Sequence, residues 1–182
     1  MPAQTAEDVL EFWFDEATRP HWYLRSEAFD ARVRDELGPL HARAVRGELD
    51  AWATEPRGAL AVIILLDQAS RNLHRGSADA FASDALALKH ARATVDAGHD
   101  RAFTEVERVF LYMPFEHSEA LADQERCVAL MSELPTPQWR DYAERHHRIV
   151  ARFGRFPHRN AVLGRESTPE ELEFLKQPGS SF

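Results

Sequence analysis

The hydrophobic positions of the chain recur at the three- and four-residue spacing of α-helices, and no usable stretch alternates apolar and polar residues as a β-strand does. Ser, Thr or Pro precedes most of these stretches, and Gly or Pro follows them, as is typical of helix caps. The pattern predicts about eight helices. Their approximate bounds are residues 6–15, 27–47, 59–73, 79–97, 105–113, 118–134, 137–153 and 169–176.

Several helix boundaries follow from specific residues. A threonine followed three residues later by an acid marks three helix starts, at Thr5, Thr104 and Thr168. Pro114 is expected to end the fifth helix, and Ser118 is expected to cap the sixth. The pair Gly38–Pro39 marks a place where the second helix can kink or split.

The connections between these helices are short, so consecutive helices should pack as antiparallel neighbours. This predicts an all-α fold of stacked helical hairpins. No clear repeat of fixed length occurs. A length of 182 residues fits a single domain, 1–182, with residues 177–182 as a C-terminal tail.

Composition indicates a soluble protein of a reducing compartment. Hydrophobic residues make up 44% of the chain, and its longest apolar run, residues 59–66, is far too short to span a bilayer. No basic residue precedes the first apolar stretch, which argues against a secretory signal. Cys127 is the only cysteine, so an intrachain disulfide and a thiolate metal cluster are both excluded. We expect a cytoplasmic protein without a membrane partner.

The charge of the chain is unevenly distributed. Its net charge is −8, which makes nucleic acid an unlikely partner. Residues 140–165 nevertheless contain seven arginines and two acids, so this segment is positive. Arginine is suited to bidentate pairing with carboxylates or phosphates. The cluster is therefore a candidate anion-binding segment.

The third predicted helix, residues 59–73, carries charged residues at positions where its pattern otherwise has apolar ones. It is apolar around most of its circumference, which predicts a central position in the fold. Asp67 and Arg71 lie four residues apart on one of its apolar faces. Buried charges must be paired or line a pocket, so this pair is either a structural ion pair or part of a ligand site.

A second candidate lies at the corner formed by residues 113–119, where His117 is flanked by Glu116 and Glu119. A neighbouring carboxylate raises the pKa of a histidine and orients its ring, which suits acid–base catalysis or metal binding. The alternative is a corner histidine beside acids that stabilise the next helix start.

The third candidate is the turn at residues 152–160, in which cationic and aromatic side chains alternate. Gly154 and Pro157 end the preceding helix, so the turn can present guanidinium groups to an anion. One turn earlier, His146 shares an apolar stripe with Ile149 and Phe153. It is either a core histidine or a third member of the same site.

These stretches resemble a known family. The sequences LLDQASRNLHRG (65–76), MPFEHSE (113–119) with Gln124, the segment 146–165 with its FGRFPHRN motif, and the ending PGSSF are similar to the bacterial domain of unknown function 924 family. The resemblance covers nearly the whole chain. It implies a helical, right-handed tetratricopeptide-like fold and no assigned activity. Ala69–Ser70 departs from the family pattern of a bulky residue and proline, which concerns packing rather than charge.

We hypothesise that the three candidates form one interior site for a small anionic ligand, with acid–base catalysis as an extension of that hypothesis. The proton-transferring candidates are His117, His146, Glu116 and Glu119. The ligand-binding candidates are Asp67, Gln68, Arg71, Asn72, Gln124, Arg152, Arg155, His158, Arg159 and Asn160. A metal-dependent version of the site would use His117, Glu116 and His146, but no HExxH or CxxC spacing supports it. The sequence leaves open both whether a cofactor is bound and whether the protein is an enzyme.

The main alternative is a module that binds a peptide or protein on an open helical face, as tetratricopeptide-like proteins do. That alternative places the charged residues on an exposed surface, whereas the ligand-site hypothesis places them in the interior.

Overall fold

The computed structural model of the chain describes residues 2–181, and every regular element among them is helical. The all-α fold class is therefore confirmed, while the tetratricopeptide-like arrangement of the helices stays an expectation. The α-helices are α1 Ala6–Phe14, α2 Glu27–Val45, α3 Pro56–Ile63, α4 Ser70–Leu73, α5 Asp84–Asp96, α6 Glu105–Glu116, α7 Leu121–Ser132, α8 Pro137–Phe153 and α9 Pro169–Leu175.

The described residues form two compact units. The first comprises the residues up to Arg75 together with Asp79–Pro114, and the second comprises Gly76–Ala78 and the residues from Phe115 onward. The single domain predicted over 1–182 stays a prediction, and its two terminal residues, Met1 and Phe182, lie outside the described residues. Within the predicted tail, Ser180 is buried and its hydroxyl donates a hydrogen bond to the carbonyl oxygen of Leu175.

The first unit is built around the predicted central helix. This helix begins at Pro56 as α3, passes through a π-helical segment at Ile64–Ala69, and ends as α4 at Leu73. Every residue from Gly58 to Ser70 is buried, because α1, α2 and α5 all pack against parts of it. Its start also needs a glycine, since a Cβ atom on Gly58 would lie 2.0 Å from the carbonyl oxygen of Trp52. The prediction of a central position is confirmed.

Aromatic side chains fill much of the remaining core of the first unit. Trp13 and Trp22 each meet the ring of Phe110 edge to face, at centroid distances of 5.8 and 4.7 Å. The indole nitrogen of Trp22 donates a hydrogen bond to the carbonyl oxygen of Trp13 at 2.9 Å. These contacts join the end of α1 to α6 inside this unit.

The second unit is organised by α7 and α8, which pack against each other. Ile149, Val150 and Phe156 form a buried apolar cluster, with Phe153 and Phe174 packed at its edge. As predicted, α8 ends at Phe153, and Gly154 follows in a left-handed conformation with φ of 68°. The chain therefore turns back over α8 and brings residues 156–160 against its buried face.

The helix boundaries confirm some sequence signals and correct others. All three predicted Thr–acid pairs form capping boxes, at Thr5, Thr104 and Thr168. The prediction that Pro114 ends its helix is wrong, since α6 continues to Glu116; a proline removes one hydrogen bond, but its φ is compatible with a helix. Likewise, α2 continues through Gly38–Pro39 to Val45.

The predicted cap at Ser118 is also wrong, because α7 begins three residues later at Leu121. The Ser118 hydroxyl instead donates a hydrogen bond to the carboxylate of Asp123 at 2.7 Å and accepts one from the Ala120 N–H. Local hydrogen bonds therefore hold this corner, and a helix cap is only one of the roles that a serine can fill there.

Candidate functional site

The predicted contact between Asp67 and Arg71 is present in the first unit. Asp67 lies in the π-helical segment and is fully buried, and its Oδ1 is 3.2 Å from Nη1 of Arg71. Arg71 also donates to the carbonyl oxygen of Asp67 at 2.8 Å and to both carboxylate oxygens of Asp84, at 2.9 and 3.1 Å. Protein acceptors therefore occupy much of this guanidinium group's donor capacity. Asp84 was not among the predicted residues.

The two other candidates on this helix also contact protein groups. The Gln68 amide donates to the Asp67 carboxylate at 2.5 Å and lies 3.2 Å from the Met113 sulfur. The Asn72 amide donates to Asp30 at 2.7 Å. Asp30 additionally accepts a bidentate pair of hydrogen bonds from Arg75, which lowers the pKa of its carboxyl group. The hydrogen bonds of Asn72 and Arg75 to Asp30 form a polar network that joins α4 and the residues after it to α2.

In the second unit, the end of α6 brings a buried carboxylate to a buried histidine. Glu116 and His146 are 6% and 5% exposed, and Oε1 of Glu116 lies 3.3 Å from Nδ1 of His146. The same ring nitrogen is 2.9 Å from the carbonyl oxygen of Tyr142. Since a carbonyl oxygen only accepts hydrogen bonds, we assign the proton of the neutral ring to Nδ1 and the lone pair to Nε2.

Burial makes His146 difficult to protonate. Burial lowers the pKa of His146 to about 3, although its contact with the Tyr142 carbonyl opposes this change. Three nearby groups lower the pKa of His146 further: His117, Arg159 and His158.

Glu116, the carboxylate that approaches His146, also acts on Cys127. Burial and the charge of Glu116 both raise the pKa of the Cys127 thiol. The thiol is consequently protonated at neutral pH, which does not favour a nucleophilic role.

The turn after α8 supplies the cation of this group. Arg159 is 7% exposed, and its guanidinium carbon lies 4.5 Å from the centre of the Phe156 ring. His158 is half-buried beside it, and burial together with Arg159 lowers the pKa of His158 to about 4. Both His117 and Glu119 also act electrostatically on His158. We call Glu116, His117, His146, His158 and Arg159 the histidine cluster.

Three other arginines of the basic segment bind carboxylates of the second unit. Arg155 forms two hydrogen bonds to Glu171, at 2.6 and 2.7 Å, and Arg152 binds Glu170 at the surface. Arg165 forms two to Glu119, at 2.6 and 2.9 Å.

The carboxylates respond to these partners. Hydrogen bonds from Arg155 and from the Thr168 N–H lower the pKa of Glu171 to about 2. Burial raises the pKa of Glu119, but Arg165 and the Phe156 N–H lower it on balance. The Asn160 amide lies between Ser167 and Glu171, at 3.0 and 3.3 Å.

Gln124, another predicted ligand-binding residue, holds the corner that precedes α7. Its amide nitrogen donates to the carbonyl oxygens of Glu116 and Ser118, at 2.6 and 2.7 Å, and the side chain is fully buried. The amide oxygen has no hydrogen-bond partner among residues 2–181. Gln124 therefore holds the backbone on both sides of His117, at Glu116 and Ser118.

The structure thus divides the predicted site residues. Asp67, Gln68, Arg71 and Asn72 belong to the first unit, and the remaining ten belong to the second. The convergence of all of them on one cavity stays a prediction. Within the second unit, the corner of α6, the buried face of α8 and the turn at 156–160 do meet in the histidine cluster. Sequence reasoning missed Asp84, Asp30 and Glu171, of which only Glu171 carried a signal, in its capping box.

Each unit has a surface depression of about 380 Å³. One is lined by Glu125, Val128, Glu144, His147 and Arg148, and the other by Glu7, Leu10, Glu11, Phe14, Asp15, Arg57 and Glu107. None of the predicted site residues lines either depression.

Between residues 2 and 181 no group of three or more His, Cys, Asp or Glu side chains has the geometry to hold a metal ion. Over the same range, no helix combines the length and apolar character needed to cross a bilayer.

Comparisons with known proteins place the chain among proteins of unassigned activity. Residues 9–179 match the family model described as "Bacterial protein of unknown function (DUF924)". The chain is also similar to a solved structure of a protein of unknown function from Agrobacterium tumefaciens, with 43% sequence identity and a TM-score of 0.89. That match covers 94% of this chain and 96% of the other. No curated protein matches the chain.

Proposed function

The chain belongs to the DUF924 family of bacterial proteins of unknown function, and on that premise we propose that its histidine cluster binds a small anionic molecule. The observation that supports this proposal is the concentration of three imidazoles and a carboxylate around one buried guanidinium group, Arg159. Functional sites are places where buried titratable groups with perturbed pKa values gather.

Arg159 is the proposed anchor for the anion. Its guanidinium group lies on the face of the Phe156 ring, which fixes the plane of its donors. A planar fork of N–H donors matches a carboxylate, phosphate or sulfate group. His158 and His117 are half-buried, so these two residues lie where a ligand from solvent can reach the cluster.

Acid–base chemistry is the second part of the proposal. With its proton on Nδ1, His146 keeps the basic lone pair on Nε2, and Glu116 approaches the ring from the other helix at 3.3 Å. A carboxylate in that position stabilises the imidazolium that forms when the ring takes a proton. His146 would receive a proton only beside a ligand whose charge offsets the burial that lowers its pKa to about 3, while Gln124 and Glu119 hold the corner and the turn that surround it.

Burial favours this proposal over binding of a peptide on an open face. A peptide-binding module would display its charged residues, whereas Glu116, His146 and Arg159 are each less than 10% exposed. A peptide backbone also has no need of three imidazoles in one place. Binding of a small anion instead gives Arg159 and the imidazoles a direct role as hydrogen-bonding groups.

A thermal-shift screen against small carboxylates, phosphate esters and sulfate tests the proposal. A ligand that binds only the folded protein at a concentration of a hundred times its Kd adds about 2.7 kcal/mol to the free energy of unfolding. We expect Arg159→Gln to abolish this stabilisation. Arg148→Gln is the matched control, because Arg148 lies on the same helix–turn segment with its side chain 65% exposed.

Stabilisation that survives in Arg159→Gln would contradict the anchor. If that variant does not fold, the imidazole resonances of His146 and His158 in the unaltered protein provide a second measurement. We expect both to shift on ligand addition, and no change in either would contradict the site.

A further inference from the structure

We infer that an anion bound at the histidine cluster enters together with one proton for each of its charges, and that the imidazoles of His146 and His158 receive these protons. This inference rests on the proposed function and adds a form of regulation to it: binding becomes stronger as the pH falls. It follows from the balance of charges around the cluster rather than from any single residue.

Two arginines and two carboxyl groups surround the rings of His146 and His158, so their charges cancel when both carboxyl groups are ionised. Arg159 and Arg165 contribute two positive charges, and Glu116 and Glu119, when ionised, contribute two negative ones. Arg155 is balanced by Glu171 and adds no net charge. The imidazoles of His146 and His158 are neutral at pH 7, because burial lowers the pKa of His146 to about 3 and that of His158 to about 4.

An anion added to this arrangement leaves one buried negative charge without compensation. Such a charge is strongly unfavourable away from water unless a positive charge forms beside it. Guanidinium groups cannot gain a proton, whereas a neutral imidazole can. The protonation of one imidazole for each ligand charge restores the balance.

The groups that face the two rings explain why an anion changes their behaviour. His146 faces Glu116 from α6, His117 from the corner, and His158 and Arg159 from the turn. His158 faces Arg159, Arg165, Glu119 and His117. In the ligand-free protein, the positive charge of arginine disfavours protonation of both rings: Arg159 acts on His146, and Arg159 and Arg165 act on His158. An anion placed against Arg159 reverses the sign of that local field and makes protonation favourable.

The test is a sulfate titration of the unaltered protein by isothermal calorimetry, at several values from about pH 5 to pH 7. Sulfate keeps its charge over this range, so any pH dependence belongs to the protein. Each coupled proton should weaken binding about tenfold for each pH unit of increase. Repeating the titration in two buffers with different ionisation enthalpies counts the protons taken up, and we expect one or two.

Two variants locate the proton. We expect His146→Gln and His158→Gln each to reduce the number of protons taken up, and the double variant to bind sulfate with little pH dependence. His147→Gln is the matched control, since His147 is the sequence neighbour of His146 and lines a surface depression. It should retain the full proton uptake.

Three results would overturn the inference. Sulfate affinity independent of pH would refute the coupling while leaving the anion site intact. Proton uptake that persists in the double variant would assign the proton to another group. The absence of sulfate binding at every pH would contradict the proposed function as well.

Discussion

The arginines of the two units differ in what surrounds them. In the first unit, Arg71 is enclosed by Asp67, Asp84 and a backbone carbonyl oxygen, and it has two carboxylates for one positive charge. In the second unit, Arg159 lies on the Phe156 ring beside His146 and His158, which are neutral at pH 7, and it acts electrostatically on the carboxylate of Glu119. The first arrangement carries an excess of negative charge, and the second offers hydrogen-bonding groups that can gain a proton.

This difference teaches how to interpret a charged residue in an apolar helix pattern. Both Asp67 and His146 interrupt such a pattern, yet only the surroundings separate a structural network from a candidate site. A guanidinium group saturated by protein carboxylates stabilises the fold. One that lies beside neutral, titratable groups can accept an anion and change protonation with it.

The largest expected effect is that of Asp67→Leu, which removes the buried carboxylate from Arg71. Removing one partner of a buried pair costs about 3–5 kcal/mol of unfolding free energy, and the remaining contact with Asp84 favours the lower end of that range. The double variant Asp67→Leu, Arg71→Met should be more stable than the single one, because the pair is lost together. Urea unfolding measures both.

Arg57→Gln is the control for this cycle, since the Arg57–Glu7 pair lies at the surface with both side chains about half exposed. It should change stability by less than about 1 kcal/mol. A loss below about 0.5 kcal/mol for Asp67→Leu would contradict its burial. If the double variant also loses stabilisation by an anion that the histidine cluster binds, the contrast between the two arginines fails.

The next effect concerns Glu171→Gln, which disrupts the four hydrogen bonds that hold residues 155–168. Hydrogen bonds to charged groups contribute about 1.5–3 kcal/mol, and we expect a loss of unfolding free energy in that range. The folded pKa of about 2 lies below the reference of 4.5. The unfolded state therefore binds the proton first, and this stabilisation is complete above about pH 4.5 and declines as the pH falls toward 2.

The variant Glu171→Gln should lack that part of the acid dependence when urea unfolding is repeated at decreasing pH. Glu170→Gln serves as the control, because Glu170 is an exposed neighbour on the same helix. An acid dependence identical in the unaltered protein and in Glu171→Gln would show that the carboxylate is not held as described.

A smaller effect is expected from His146→Gln near neutral pH. Loss of the hydrogen bond to the Tyr142 carbonyl should cost about 1 kcal/mol. Because the folded pKa of about 3 lies below 6.5, the unfolded state binds more protons between these values. Native stability accordingly falls as the pH decreases from about 6.5, by at most about 1.4 kcal/mol for each pH unit. The variant should show a shallower decline in urea unfolding, and an unchanged slope would mean that His146 is protonated in the folded protein.

The smallest effect is expected from Arg152→Gln. Its ion pair with Glu170 is at the surface, with side chains 50% and 63% exposed, so the change in unfolding free energy should be below about 1 kcal/mol. Arg155→Gln, which breaks the bidentate contact with the buried Glu171, should cost more in the same urea experiment. Equal effects would remove the distinction between the surface and interior arginines of the basic segment.

Local signals in the sequence determined the helices of this protein. Thr5, Thr104 and Thr168 start helices because a hydroxyl and an acid three residues later satisfy N–H groups that the helix itself leaves unpaired. Gly154 ends α8 because it adopts a positive φ at little cost. The apolar circumference of residues 59–66 likewise required a central position, since no single exposed face could hide it.

Beyond the i,i+4 contact of Asp67 and Arg71, the tertiary structure decided which charged groups became partners. Pro114 and Ser118 depart from their local preferences, and the Gln124 side chain holds the chain at this corner through the carbonyl oxygens of Glu116 and Ser118. Asp84 and Glu171 lie 13 and 16 residues from Arg71 and Arg155, and no helical periodicity relates such positions. Pairing at that distance depends on how helices pack, whereas capping depends on residues within one turn. The sequence therefore identified the unusual residues, and packing determined which of them bind each other and which form the histidine cluster.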